Sequence, residues 1–372
     1  MGTDPDYVGR HLATTEHGRL VGTHAGAYMN AFGTLANTAL SFSAVRSLVT
    51  RLLRRGGVIL RLHRLSDPAV GVVDRETEGI RRVLEFLRAE RHELIALDEM
   101  ISRLKGDGPP LDRTIAVTID DGYYDQVAIG APLFAAYDCP VTTFVATGFL
   151  DGELWFWWDK VKYVFRHTPR REIRLDVASQ EIAYTLLEAE DRKSAAMDFT
   201  ERAKRVPQEE KESALERLAA VAEIEIPQRP PQLFAPMTWD QVRACEKNGM
   251  TFGPHTVTHP ILARASDEQC RREIEVSWER LQAEVDRPVP VFCYPNGQPE
   301  DFGPREIEIL RETGFAAAVT TVPGYNLAAT FQANLEDRFA LRRFGNIDSL
   351  PNVIRFVSGA DRVRLALTRI SR

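Results

Sequence analysis

From Thr114 to Ile119 the chain is an apolar run, and it ends abruptly in Asp120, Asp121 and Gly122. A short apolar segment closed by turn residues reads as a buried strand. Adjacent side chains leave a strand end in different directions, so the two acids can take different tasks. Gly122 supplies the permissive backbone that turns the chain away. Two like charges this close are costly unless a cation sits nearby or one of them keeps a proton. Taken alone, the same string also suits a polar strand-to-loop turn.

Two later segments share this construction. Residues 250–254 lead into His255-Thr256-Val257-Thr258-His259-Pro260, whose two histidines are spaced to face one cation. Residues 289–293 lead into Tyr294-Pro295-Asn296-Gly297, another strand ending in a shaped loop. Three apolar runs that each deliver polar groups at their end form the pattern of a barrel rim. Helical periodicity falls between them, as at 75–91, where Ile80, Val83, Leu84 and Leu87 face inward, and at 97–104 and 127–137. It returns at 238–248 with Thr238 as N-cap, at 264–285, and at 304–313 before Gly314. Strands are expected at 92–97, 141–146, 315–320 and 339–344. This alternation argues for an α/β chain with a parallel sheet or barrel.

Thr118-Ile119-Asp120-Asp121-Gly122, His255-Thr256-Val257-Thr258-His259 and Phe292-Cys293-Tyr294-Pro295-Asn296-Gly297 resemble the first three motifs of the polysaccharide deacetylases. These are the NodB-homology carbohydrate esterases, and the resemblance runs over about 58–344 with one long insertion. It implies a distorted (β/α)7-type barrel at 57–346, interrupted by a mainly helical insertion at about 150–236. A 1–56 extension precedes it and a helical tail, 347–372, follows. The implied metal ligands are Asp121, His255 and His259. Zinc is the first choice of ion, and cobalt, nickel, iron or manganese suit the same donors. Asp120, off the metal, is the implied general base, and the Asn296 backbone N–H the oxyanion donor.

Circularly permuted members open with a tyrosine-histidine-arginine strand whose histidine acts as general acid. Here residues 57–65 carry Leu62-His63-Arg64 and no histidine follows His259, so His63 is the candidate. The family's third motif usually holds an arginine that pairs with the catalytic aspartate. Cys293 stands there instead, and Arg343 or Arg342 is the expected replacement. Asn296 takes the place of the usual aromatic. Candidate substrate contacts are Tyr294, Pro295, Arg343 and Trp155.

Outside the motifs, residues 43–55 set Val45, Leu48, Val49, Leu52 and Leu53 against Arg46, Arg51, Arg54 and Arg55, with Gly56 and Gly57 as a stop. Such a helix packs on the domain or lies on anionic lipid. The insertion opens with the aromatic run 154–165, able to stack on sugar rings or to pin the insertion down, and continues as charged helices over 188–225. Residues 1–42 match no motif. His92, between charged neighbours, is expected in solvent. Four scattered cysteines read as reduced core residues.

A net charge of −6 without a lysine/arginine block excludes a nucleic-acid footprint. No apolar run reaches membrane-span length, and Asp4, Asp6 and Glu16 occupy the place of a signal's basic region. The expected setting is cytoplasmic, with membrane association through 43–55 as an option. The expected reaction is metal-dependent hydrolysis of an N-acetyl amide, as on N-acetylglucosamine, giving an amino sugar and acetate. The partner would be a carbohydrate: an oligosaccharide, or a nucleotide- or lipid-linked sugar. Alternatives are removal of an N-formyl or O-acetyl group, and an inactive glycan-binding barrel.

Overall fold

The computed structural model describes residues 36–53, 55–66 and 77–370. Residues 1–35 of the expected 1–56 extension lie outside them, as do Arg54, the first two residues of the 75–91 helix and the end of the tail.

Nine strands are present among the described residues: β1 (Val58–Leu62), β2 (Glu93–Leu94), β3 (Thr114–Asp121), β4 (Val141–Val145), β5 (Glu172–Val177), β6 (Gln180–Thr185), β7 (Thr251–Pro254), β8 (Val291–Cys293) and β9 (Ala317–Val319). All eight residues of β3 are buried, as a strand covered on both faces must be. It lies between β1 and β4 in a parallel sheet ordered β1-β3-β4-β7, and β2 pairs with its first two residues. β8 and β9 form a separate parallel pair. A few backbone bonds link these pieces. Val289 N–H donates to Phe252 O at 2.7 Å, Leu341 N–H to Ala318 O at 2.9 Å, and Phe344 N–H to Ile59 O at 2.8 Å.

Amphipathic helices cover the sheet. Helix Thr77–Ala89 buries Ile80, Val83, Leu84 and Leu87 against β1 and β3, each worth roughly 1.5–3 kcal/mol of burial. Thr238 caps helix Trp239–Lys247 with a reciprocal bond from Gln241, as its sequence predicts. After the acid pair the expected helix instead begins as a π-turn, Gln126–Gly130, before Ala131–Ala135. The tail is two helices, Leu350–Ser358 and Asp361–Ile370, split at Gly359, rather than one. His92 is buried beside Phe86, not in solvent, because the turn after Thr77–Ala89 folds it under that ring. All four cysteines are buried and free. No described helix is long and apolar enough to cross a membrane.

The stretch 150–236, expected as the insertion, has its own apolar cluster, in which Val161, Phe165, Phe199 and Leu218 meet. Besides helices Trp157–His167, Ala189–Ala203 and Gln208–Val221, it contains the antiparallel hairpin β5–β6. The mainly helical expectation passes over that hairpin, although Ile173, Leu175 and Val177 alternate with exposed residues as a half-buried strand should.

Candidate metal centre

The three motif segments meet at one end of the parallel strands. β3 delivers Asp120 and Asp121, β7 the histidine loop and β8 the Pro-Asn-Gly loop. Asp121, Thr256, His259 and Asn296 all have positive φ, between 58° and 86°. Non-glycine residues in this region cost about 1 kcal/mol or more each and gather at functional sites. Gly122, at φ 94°, has no such cost, and a Cβ there would meet Leu150 Cδ1 at 2.7 Å.

Asp121 Oδ1 lies 3.6 Å from the Nε2 atoms of both His255 and His259. The three donor atoms fall within 4.8 Å of one another. His255 Nδ1 is bonded to Cys293 O at 2.7 Å, which fixes the proton there and leaves the Nε2 lone pair facing Asp121. Burial pushes both imidazoles toward their neutral, ligating form. Burial, then the neighbouring charges of Asp120 and Asp159, push the Asp121 carboxyl well above its ordinary range. A buried carboxylate facing two neutral imidazoles lacks a countercharge, and a divalent cation is the group that fits this set. Glu273 secures the loop from behind, accepting from the N–H groups of Val257 and Thr258 at 2.8 Å each.

Asp120 faces the other way. Arg343 grips it with two bonds, Nη1 to Oδ1 at 2.7 Å and Nη2 to Oδ2 at 2.8 Å. The guanidinium is fully buried and also donates to Thr320 O, Thr118 Oγ1 and Cys293 Sγ. Arg343, not Arg342, therefore occupies the position opposite the acid. It sits behind Asp120 and does not line the cavity, so the structure places no substrate contact on it. Burial raises the Asp120 pKa, but Arg343 and then His63 outweigh it and hold the carboxyl well below the usual range.

His63, just beyond β1, has Nε2 at 3.7 Å from Asp120 Oδ2, and accepts there from Arg61 Nη1 at 3.3 Å. Enclosure and the cations Arg61 and Arg343 push its pKa down to about 3 against the pull of Asp120, while 37% of its side chain opens to the cavity and tempers that enclosure. Gln126 Nε2 donates to His63 O and Asp120 O, tying the ends of β1 and β3 together.

The site floors a cavity of about 1230 Å³ bounded by the strand ends and the insertion. Trp158 and Phe156 stand over His259, with ring centroids at 4.7 and 5.5 Å. Trp158 lines the cavity; Trp155, 5% exposed, packs behind it on Tyr163 and Phe234. The aromatic face offered to the cavity is therefore that of Trp158 rather than Trp155. Tyr294 and Asn296 line it too, whereas Pro295 does not. Glu273, Gln126 and Trp158 are not singled out by the sequence. The first two act on backbone atoms of other segments, which leaves no local signature.

Residues 218–318 match the family model described as polysaccharide deacetylase. The family matched is the polysaccharide deacetylases. The matched stretch contains His255, His259 and Asn296, while the acid pair precedes it. Among solved structures, the chain is similar to the Streptococcus pyogenes deacetylase PplD in complex with acetate, at 17% identity and a TM-score of 0.52, over 81% of this chain and 98% of that one. It is similar to IcaB from Ammonifex degensii at 16% identity and a TM-score of 0.52, over 82% of this chain and 98% of that one. At these identities the likeness is one of fold: α/β with a parallel sheet. No curated protein matches the chain.

Proposed function

We propose that this chain is a metal-dependent hydrolase that removes the acetyl group from an N-acetylated sugar. One observation carries the reading: Asp121, His255 and His259 converge on a point, beside an Asp120 held apart by Arg343. The triad would hold a divalent cation, zinc first, with cobalt, nickel, iron or manganese suited to the same donors. When bound, the ion supplies Lewis acidity toward the acyl carbonyl and lowers the pKa of water.

The chain's own residues do the rest. Asp120 orients the attacking water and takes its proton, and the Arg343 clamp fixes the carboxylate's direction while reducing its basicity. His63, pushed toward its neutral form, enters with Nε2 unprotonated, receives there the proton Asp120 has taken and passes it to the departing nitrogen. The carbonyl carbon gains the water oxygen, the C–N bond breaks, and acetate and an amino sugar leave. The Asn296 N–H, which makes no hydrogen bond among the described residues, is the donor for the developing oxyanion. Tyr294 and Pro295 shape the loop that presents it, and Trp158 offers a stacking face. PplD, similar in fold, is in complex with acetate, and acetate is the product expected here.

We further take the strands as a distorted (β/α)7 barrel and 150–236 as its insertion; the bonds of Val289, Leu341 and Phe344 between sheet pieces support this. Helix Ser43–Leu53 is held to the domain by Arg46, which pairs with Glu90, yet leaves Val45, Leu48 and Leu52 exposed, which supports contact with a lipid surface, tested by flotation with anionic vesicles. A cytoplasmic setting is assumed, and cell fractionation tests it.

The deciding experiment incubates metal-reconstituted protein with N-acetylhexosamine oligomers and phosphate-linked N-acetyl sugars and measures acetate. Release that is lost in Asp120→Asn with metal retained is the expected result. Release of formate from N-formyl sugars alone, or acetate from O-acetyl esters alone, would replace the acetyl-amide assignment. Silence across the panel would leave only a binding role.

A further inference from the structure

Resting on that hydrolase reading, we infer that the substrate is an acylated sugar bearing a phosphate or diphosphate, and that the insertion holds the anionic group. The chain as a whole carries a net charge of −6. Yet where the insertion faces the cavity it presents six cations, Lys162, Arg166, Arg192, Lys193, Lys204 and Arg205, against one acid, Glu201. The facing wall adds Arg61, Arg64 and Arg264 against Glu300 and Asp301, so the excess of one sign lies on the insertion's side, and such an excess concentrates ligands of the other sign.

Not all of these charges are equally available. Lys162 is paired with buried Asp159 at 3.0 Å, Lys204 with Glu201 at 2.6 Å, and Lys193 reaches Glu190 only at 3.8 Å. Arg192 gives Nη1 to the carbonyls of Phe165 and Thr168, which hold the side chain without neutralising it. Arg166 and Arg205 are exposed and make no ion pair or side-chain hydrogen bond among the described residues, Arg205 feeling only the more distant charge of Asp198. They belong to different elements, Arg166 on helix Trp157–His167 and Arg205 in the turn after Ala189–Ala203, and face one cavity. A guanidinium fork matches phosphate oxygens in pairs, and a neutral glycan offers these groups nothing comparable. The acyl group at the triad and an anionic group along the insertion would use both ends of the cavity.

The test compares acetate release from N-acetylglucosamine 1-phosphate, UDP-N-acetylglucosamine, farnesyl-diphosphate-linked N-acetylglucosamine, a uronate-containing N-acetylated disaccharide and neutral di-N-acetylchitobiose. The expected kcat/KM is about tenfold higher for at least one phosphate-bearing sugar than for the neutral one, and that ratio falls as salt rises from about 50 to about 300 mM. The order among the first three separates sugar phosphate, nucleotide and lipid sources. Arg166→Ala combined with Arg205→Ala lowers the phosphate-to-neutral ratio about tenfold, through KM rather than kcat. Equal turnover of the neutral sugar, preference for the uronate, or a ratio indifferent to both salt and the double variant overturns the inference. If no sugar is hydrolysed, the hydrolase reading fails on its own, and calorimetry with UDP-N-acetylglucosamine still decides this one. Binding weakened about tenfold by the double variant supports it, and absence of binding sinks it.

Discussion

At the strand ends Asp120, Asp121, His255 and Arg343 are all buried, each fixed by bonds to other segments. Across the cavity the insertion shows Arg166, Lys193 and Arg205 in solvent, with long side chains and few partners. The first region tolerates positive φ at Asp121, Thr256, His259 and Asn296, and surrounding structure holds them there. The second has positive φ only at its hairpin turn, Ala178 and Ser179, and at Glu223 among its non-glycine residues, all away from the cavity lining. Chemistry needs atoms held to fractions of an ångström, whereas attracting an anion needs only charge at the right wall. On the proposed function, bond breaking would belong to the rim and choice of substrate to the insertion.

The hardest blow to this division would fall on the triad. His255→Ala or Asp121→Ala should abolish stoichiometric metal and cut turnover at least about a thousandfold; full metal content by elemental analysis would show that the rim is not the metal site. Next comes the clamp. Arg343→Met strands Asp120 as a buried unpaired charge, a loss of about 3–5 kcal/mol in urea unfolding, and adding Asp120→Asn should recover part of it. No recovery would mean that Arg343 acts through its other bonds.

Leu218→Ala, in the insertion's own cluster, should cost about 3 kcal/mol, with faster amide exchange over 157–221 and unchanged metal stoichiometry. Metal loss in that variant would join the two regions into one unit. The smallest effect belongs to Asp198, whose carboxyl Arg202 and then Tyr184 hold below its ordinary range against a modest burial penalty. Its contribution is complete above the unfolded value near 3.9 and disappears as pH falls through the lower folded one. Asp198→Asn should therefore cost no more than about 0.5 kcal/mol at neutral pH and flatten the acid limb of the stability curve. A larger acid-side change would mean a tighter insertion surface than its exposure implies.

The same contrast explains what the sequence discloses. Asp120, Asp121, His255 and His259 are legible because each pair closes an apolar run, and strand ends are where such residues converge. Arg343 is legible only as one of two neighbours, since a contact across 223 positions leaves no local mark and strand alternation alone separates it from Arg342. The hairpin β5–β6 hides because three of its six β5 residues are charged, drowning a period of two in a stretch that composition favours as helix. Trp155 and Trp158 cannot be ranked from spacing, because which one faces the cavity depends on the fold setting Trp155 against Phe234 and Trp158 against Tyr123. The cationic wall is equally silent: its six members are scattered over some 44 positions among eight acids, and only the fold gathers one sign on one side.

The grip of Arg343 on Asp120 also sets an order of assembly. During synthesis the acidic pair emerges early and its countercharge only 223 residues later. Until then β3 cannot settle into a finished interior without confining a bare negative charge. The central strand thus waits for nearly the last segment of the sheet, and a nascent chain released before that point should be a ready client for chaperones or proteases.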